Sequence, residues 1–180
     1  MSELWLDITD LPATGREFSF SDPALWTGPI AEFKLPHRLG TGDAGISATF
    51  ALEPQGRGIL IHGTIVGSVI TPCDRCAEDT LVVINSSFEL FEELPLEDEQ
   101  RLEPGLLRRR GEVLELDVAS MLWEQFLLAL PVKPLCDENC PGLCPHCGKP
   151  LRNGPCGCAA EDSDPRLAVL RNLKVPRGSN

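Results

Sequence analysis

Eight cysteines, and where they fall, constrain this chain of 180 residues more than any other feature. Two stand together in mid-chain, in Cys73-Asp74-Arg75-Cys76. The other six, Cys136, Cys140, Cys144, Cys147, Cys156 and Cys158, crowd a segment rich in proline and glycine near the C-terminus. That segment has too few large apolar residues to build a core, so something else must order it. Met1 to Asp10 shows no basic run followed by an apolar stretch, and no segment approaches the roughly 20 apolar residues that span a bilayer. The expected address is the cytoplasm, where thiols stay reduced and clustered cysteines act as metal ligands rather than disulfides.

Spacing supports metal. Two cysteines separated by two residues bring both sulfurs to one tetrahedral ion while turn amides donate to them. In Cys144-Pro145-His146-Cys147-Gly148, Pro145 fixes the entry and Gly148 permits the positive φ that follows such a turn. Cys156-Gly157-Cys158 follows Cys147 after eight intervening residues, and its glycine makes the tight spacing feasible. These four predict a four-thiolate site of zinc-ribbon character. Cys73, Cys76, Cys136 and Cys140 make a second set, whose ion would tie the mid-chain turn to the later segment. A second partition remains open at this stage: Cys136 and Cys140 with Cys144 and Cys147, and Cys73 and Cys76 with Cys156 and Cys158.

The expected cofactor is Zn2+, two ions, because all-thiolate donors with a structural look favour zinc. The alternative is a redox or electron-transfer protein using thiolate-bound iron. A thioredoxin-like role for Cys73 and Cys76 fits poorly where a hairpin, not a helix, is expected. Four-thiolate coordination leaves no open position, so no enzyme is expected. Glu124 reads as a surface glutamate and His146 as exposed. His37 and His62 have no partner identifiable from sequence.

Ahead of the cysteine-rich segment the pattern is α+β. Leu4 to Ile8 reads as a short strand. Ser21 or Asp22 caps a short helix through Trp26 with Pro23 at its first position. Ile46 to Leu52 alternates, Gly58 to Thr71 is rich in Ile, Val and Thr, and Thr80 to Leu94 carries a third run. Glu53-Pro54-Gln55-Gly56 reads as the first hairpin turn, and Gly63 and Gly67 as bulges or bends. Asp117 caps a helix from Val118 to Leu130, apolar around most of its circumference, which Pro131 and Pro134 end. The expectation is a twisted antiparallel β-sheet with one main helix and a Cys-rich zinc-binding C-terminal segment. Its parts are residues 1–134, 135–160 and a basic tail 161–180.

Charge narrows the partners. The net charge is -11. Such a surface does not coat nucleic acid by electrostatics alone, and DNA and membrane are not expected partners. It suits a basic partner. Residues Glu92 to Glu103 read as an exposed acidic loop and Arg108-Arg109-Arg110 as a solvated turn. Pro165 to Asn180 holds Arg166, Arg171, Lys174 and Arg177 and no acidic residue. Leu167, Leu170 and Leu173 there recur at helical spacing, and the basic residues could meet RNA phosphate.

The order of several short motifs resembles a known family. Cys73-Asp74-Arg75-Cys76 follows an Ile/Val/Thr-rich strand. Leu128-Ala129-Leu130-Pro131-Val132 comes later, then Cys144-Pro145-His146-Cys147-Gly148 and the terminal Asp164-Pro165-Arg166-Leu167-Ala168-Val169-Leu170-Arg171-Asn172-Leu173-Lys174. This order is similar to that of the YceD family, the large ribosomal RNA subunit accumulation proteins. The resemblance implies a role in 23S rRNA accumulation and ribosome biogenesis. The implied partner is a ribosomal RNA precursor or a large-subunit ribosomal protein.

Overall fold

The alternation of apolar residues after Gly45 builds one long antiparallel meander, and the rest of the chain packs on it. The structure, a computed structural model, describes residues 4–40, 45–95 and 105–158. The expected acidic loop is shorter than Glu92 to Glu103, because Glu92 and Glu93 end the strand Asp79–Glu93; its Glu97, Asp98, Glu99, Arg101 and Glu103, and the basic tail 161–180, lie outside the described residues. In chain order the elements are β1 (Trp5–Asp7), β2 (Arg16–Phe20), α1 (Ala24–Glu32), β3 (Arg38–Leu39), β4 (Ser47–Gln55) and β5 (Gly58–Pro72). Then follow β6 (Asp79–Glu93), β7 (Leu107–Arg110), β8 (Val113–Asp117) and α2 (Val118–Ala129). A short 3-10 turn, Leu151–Asn153, lies in the cysteine-rich segment. Among the described residues no helix is long and apolar enough to cross a membrane.

Two antiparallel sheets form. The larger runs β2-β4-β5-β3, with β6 also paired to β5; the smaller runs β1-β8-β7. Among the described residues the fold is thus mixed α+β, with two sheets and two helices. Ile46, just before β4, and Ala48, Phe50 and Leu52 along it all point inward, at 2% exposure or less. Ile59, Ile61, Ile65 and Val69 of β5 join them. Burial of each Ile, Leu, Val or Phe side chain among them is worth about 1.5–3 kcal/mol.

The helices cover the inner face. Trp26 of α1 and Phe126 of α2 are both fully buried, with ring centroids 5.5 Å apart. The Trp26 indole N–H donates to the Ile46 carbonyl at 3.1 Å, so its polar edge is satisfied. The Asp117 carboxylate accepts from the Ser120 amide at 3.0 Å and from its hydroxyl at 2.7 Å, capping α2 as the sequence predicts.

Several sequence expectations are corrected. The first hairpin turns at Gly56-Arg57, not at Pro54: the β4–β5 ladder continues through Pro54↔Ile59 to Gln55↔Gly58, and Gly56 takes φ +59. Pro54 is tolerated because β2 pairs with β4 only as far as Leu52, leaving the proline's other side without a strand. Helix α1 continues past Trp26 through Pro29, which is buried along with Ile30. The missing Pro29 N–H costs one helix bond that this packing offsets. Gly63 and Gly67 are not bulges, since the β5–β6 ladder is unbroken from Gly58↔Glu93 to Pro72↔Asp79. They are close approaches. A Cβ on Gly63 would meet the Thr49 carbonyl oxygen at 2.5 Å, and one on Gly67 the Ile46 Cα at 2.7 Å. Arg108-Arg109-Arg110 is strand β7, not a turn. Arg108 donates to Glu115 at 2.8 Å and lies 3.4 Å over the Trp5 ring, while Arg109 and Arg110 are exposed.

Candidate metal centres

Each cysteine position follows from a local backbone device. Strand β5 runs into β6 through a short loop, and its ladder extends one step further with the Cys73 amide donating to the Glu78 carbonyl at 2.8 Å. The Ala77 amide then donates to the Cys73 carbonyl at 2.8 Å, and the Arg75 amide to the Cys73 sulfur at 3.4 Å. The later turn repeats this design. The Cys144 amide meets the Lys149 carbonyl at 2.8 Å, the Gly148 amide the Cys144 carbonyl at 2.9 Å, and the His146 amide the Cys144 sulfur at 3.4 Å. Gly148 has φ +70, as its place after the turn predicts. Ala77 holds the equivalent place with φ +59, a left-handed conformation unusual for an L-residue.

The segment after α2 wraps the first turn. The Asp74 amide donates to the Pro134 carbonyl at 2.8 Å. The Arg75 guanidinium donates to the carbonyls of Glu138 and Cys140, both at 3.0 Å. Gly142, at φ +80, lets the chain pass close over Arg75, whose carbonyl oxygen lies 3.2 Å from where a Cβ would be. Sequence reasoning missed this bracing. No local signal marks it, because Asp74 and Arg75 meet partners far along the chain.

The sulfurs gather into two groups. One holds Cys73, Cys76, Cys136 and Cys140; the other holds Cys144, Cys147, Cys156 and Cys158, and within each group all sulfurs lie within 4.8 Å of one another. The other partition, which the spacing left open, is not the one the fold assembles. All eight cysteines are free thiols. The Cys73 and Cys140 sulfurs are 3.9 Å apart, and those of Cys76 and Cys136 are 3.7 Å apart. A tetrahedral ion with metal–sulfur bonds near 2.3 Å places its sulfurs about 3.8 Å apart. The donor set therefore fits a four-coordinate thiophilic cation, and each group could hold one metal ion.

Ionisation points the same way. The Cys136 backbone amide, with burial opposing and the Arg75 and Cys76 amides assisting, brings the Cys73 thiol down to about 6. The Cys147 and His146 amides bring Cys144 down to about 6. Burial, with the neighbouring cysteine sulfurs, pushes Cys136 up to about 12. Proximity to Cys147 and Cys156 pushes Cys158 up to about 12. Four thiolates cannot share so small a space without a cation among them.

The two groups differ in setting. Cys73 and Cys76 are 2% exposed, Cys140 3%, and Leu135 packs against them. In the second group Cys144 is buried, while Cys147 and Cys158 are exposed. A cross-strand bridge between Leu143 and Pro150 and the left-handed Gly157, at φ +77, close that lobe. His146 is exposed, as is Glu124 on α2. The remaining histidines do find partners: His37 Nδ1 lies 2.9 Å from the Thr71 hydroxyl, and His62 lies 3.9 Å from Glu53.

Comparison with known proteins adds a family. The model described as "Large ribosomal RNA subunit accumulation protein YceD" matches residues 61–174, a span that includes both cysteine groups. An uncharacterized protein of Mycobacterium tuberculosis is 30% identical over 128 residues, covering 69% of this chain and 60% of the relative. Its Mycobacterium bovis counterpart matches equally. The chloroplastic "Large ribosomal RNA subunit accumulation protein YCED homolog 1" of Arabidopsis thaliana is 28% identical over 137 residues, covering 61% of this chain and 43% of that protein. The chain thus spans three-fifths or less of the length of these relatives. No solved structure matches it.

Proposed function

Because this chain belongs to the YceD family, we propose that it is a non-enzymatic, zinc-binding factor supporting 23S rRNA accumulation and large ribosomal subunit biogenesis in the cytoplasm. The observation that carries this reading is the family match across residues 61–174, which spans both four-cysteine groups. Cys73, Cys76, Cys136 and Cys140 would hold one ion, and Cys144, Cys147, Cys156 and Cys158 the other. A closed-shell dication so bound supplies cross-linking and charge neutralisation rather than a reactive position.

The proposed partner is precursor ribosomal RNA or a large-subunit ribosomal protein. Charge is divided along the chain in a way that supports contact with RNA at the C-terminal end. Residues 1–140 hold 24 acidic and 10 basic side chains, and residues 141–180 hold 3 acidic and 6 basic, which together give the net charge of -11. Within the described part of that end, Lys149 and Arg152 are exposed. Cationic side chains of this kind meet phosphate.

The test combines depletion and binding. Cells lacking the protein are expected to show a lowered ratio of 23S to 16S rRNA. Purified metal-loaded protein is expected to bind large-subunit rRNA or pre-ribosomal particles with an affinity that falls as salt rises. An unchanged ratio together with no measurable binding to either partner would sink the reading.

A further inference from the structure

The second sulfur group is open to solvent where the first is closed, and we infer that its Cys147 and Cys158 form a thiol oxidation site: a peroxide joins them in a disulfide, and the cation they help to hold leaves. Both residues are exposed, and their sulfurs lie within 4.8 Å of each other. Closing to the roughly 2.05 Å of a sulfur–sulfur bond asks for a shift of about 3 Å or less. Cysteine oxidation follows thiolate character and access, and a second thiol close by resolves the first product to a disulfide. Metal ligation keeps both sulfurs as thiolates.

The chemistry balances with hydrogen peroxide as the oxidant. One thiolate attacks a peroxide oxygen; the sulfur–oxygen bond forms, the oxygen–oxygen bond breaks and hydroxide leaves. The other thiolate attacks that sulfur; the sulfur–sulfur bond forms and a second hydroxide leaves. With two protons from solvent the products are one disulfide and two waters. The sulfurs lose two electrons, and the peroxide gains them.

Only Cys144 and Cys156 of the group then remain, too few donors for a four-thiolate ion. Little else orders this lobe. Among the described residues, none from 143 to 158 belongs to either apolar cluster, and the lobe's backbone hydrogen bonds reach no further than Gly142. Oxidation therefore loosens the stretch that bears Lys149 and Arg152. The first group is protected on both counts. Cys73, Cys76 and Cys140 are at most 3% exposed, and although Cys136 is partly open, the Asp74 and Arg75 hydrogen bonds brace its segment independently of the sulfurs. This inference rests on the metal reading of the second group, and not on the rRNA reading.

The test exposes the full-length, zinc-loaded chain to hydrogen peroxide, follows zinc release with a chromogenic chelator and maps disulfides by non-reducing peptide mass spectrometry. One ion of two is expected to leave at least about tenfold faster than the other, in step with a Cys147–Cys158 disulfide. A thiol reductant with added zinc should restore both ions. Amide NMR signals of residues 143–158 should collapse toward unfolded positions while those of β4, β5 and β6 stay. The Cys147→Ser chain, left with the ion of the first group, should keep it under the same peroxide. Two ions that both stay, two that leave at equal rates, a disulfide within the first group, or release without a Cys147–Cys158 disulfide would overturn the proposal. A chain holding no ion at the second group before peroxide is added instead fails the metal reading, and the oxidation site falls with it.

Discussion

Ala77→Gly is expected to stabilise the protein, against the usual rule that glycine weakens a fold. Ala77 sits at φ +59, where the Cβ of an L-residue costs about 1–2 kcal/mol. Glycine removes that cost but gives the unfolded chain more freedom, which returns about 0.4–1 kcal/mol. Ala77 is exposed, so little apolar burial is lost with its methyl, and the amide bond to the Cys73 carbonyl is retained. The net gain is about 1 kcal/mol, or roughly 2–4 °C in melting temperature for a chain of this size. Thermal unfolding at a fixed free zinc concentration measures it, since bound metal otherwise moves the midpoint. The matched turn supplies the opposite sign. Gly148 has φ +70 with nothing within 4 Å of where a Cβ would stand, so Gly148→Ala adds the backbone cost without a clash. It should weaken metal retention in the second lobe by about fivefold, the equivalent of ~1 kcal/mol. A neutral or lowered midpoint for Ala77→Gly, or unimpaired retention in Gly148→Ala, would refute the equivalence of the two turns.

Further outcomes follow from the same geometry. Cys147→Ser should lower the metal count from two ions to one while circular dichroism of the sheet survives; two ions in that variant, counted by native mass spectrometry, would overturn the ligand assignment. Without a cation the Cys76 and Cys136 thiols keep their protons above the ordinary range, with Cys136 up to about 12. Filling the first group therefore releases at least two protons, and apparent affinity should rise at least about 100-fold per pH unit near neutrality, read by chelator competition. Burial holds the His37 imidazole below its ordinary value. The unfolded chain therefore takes up that proton first, and this group's contribution to stability falls as pH drops below about 6.5, with an NMR titration midpoint below that value as the check. Phe126→Ala, removing a fully buried ring that meets both Trp26 and Trp123, should cost about 3–5 kcal/mol in chemical denaturation.

Much of this architecture is legible in the sequence because its signals are local. Alternation fixes which face of β4 turns inward, from Ile46 to Leu52, and Asp117 followed by an apolar run marks the start of α2. The left-handed Gly148 is readable from its place after a Cys-x-x-Cys turn. What escapes is set by distant partners. Pro54 looks like a turn residue, and its place in a strand depends on where β2 stops. The arginines of β7 look solvated because Trp5 and Glu115, which engage Arg108, lie elsewhere in the chain. Cysteine spacing alone leaves two partitions of eight sulfurs open, and the Pro134 carbonyl and the Arg75 guanidinium bring Cys136 and Cys140 to the Cys73–Cys76 turn rather than to their sequence neighbours. Ala77 hides a strained conformation behind an ordinary residue type.

The first sulfur group also fastens together segments far apart in the chain. Its contacts join residues 60 and 67 positions apart, whereas the second group draws on one short stretch of chain. Closing the long loop carries a larger entropic toll than closing the short one, and it fastens the strand loop to the chain beyond α2. A cation held at the mid-chain turn would therefore mark a polypeptide whose two halves have met.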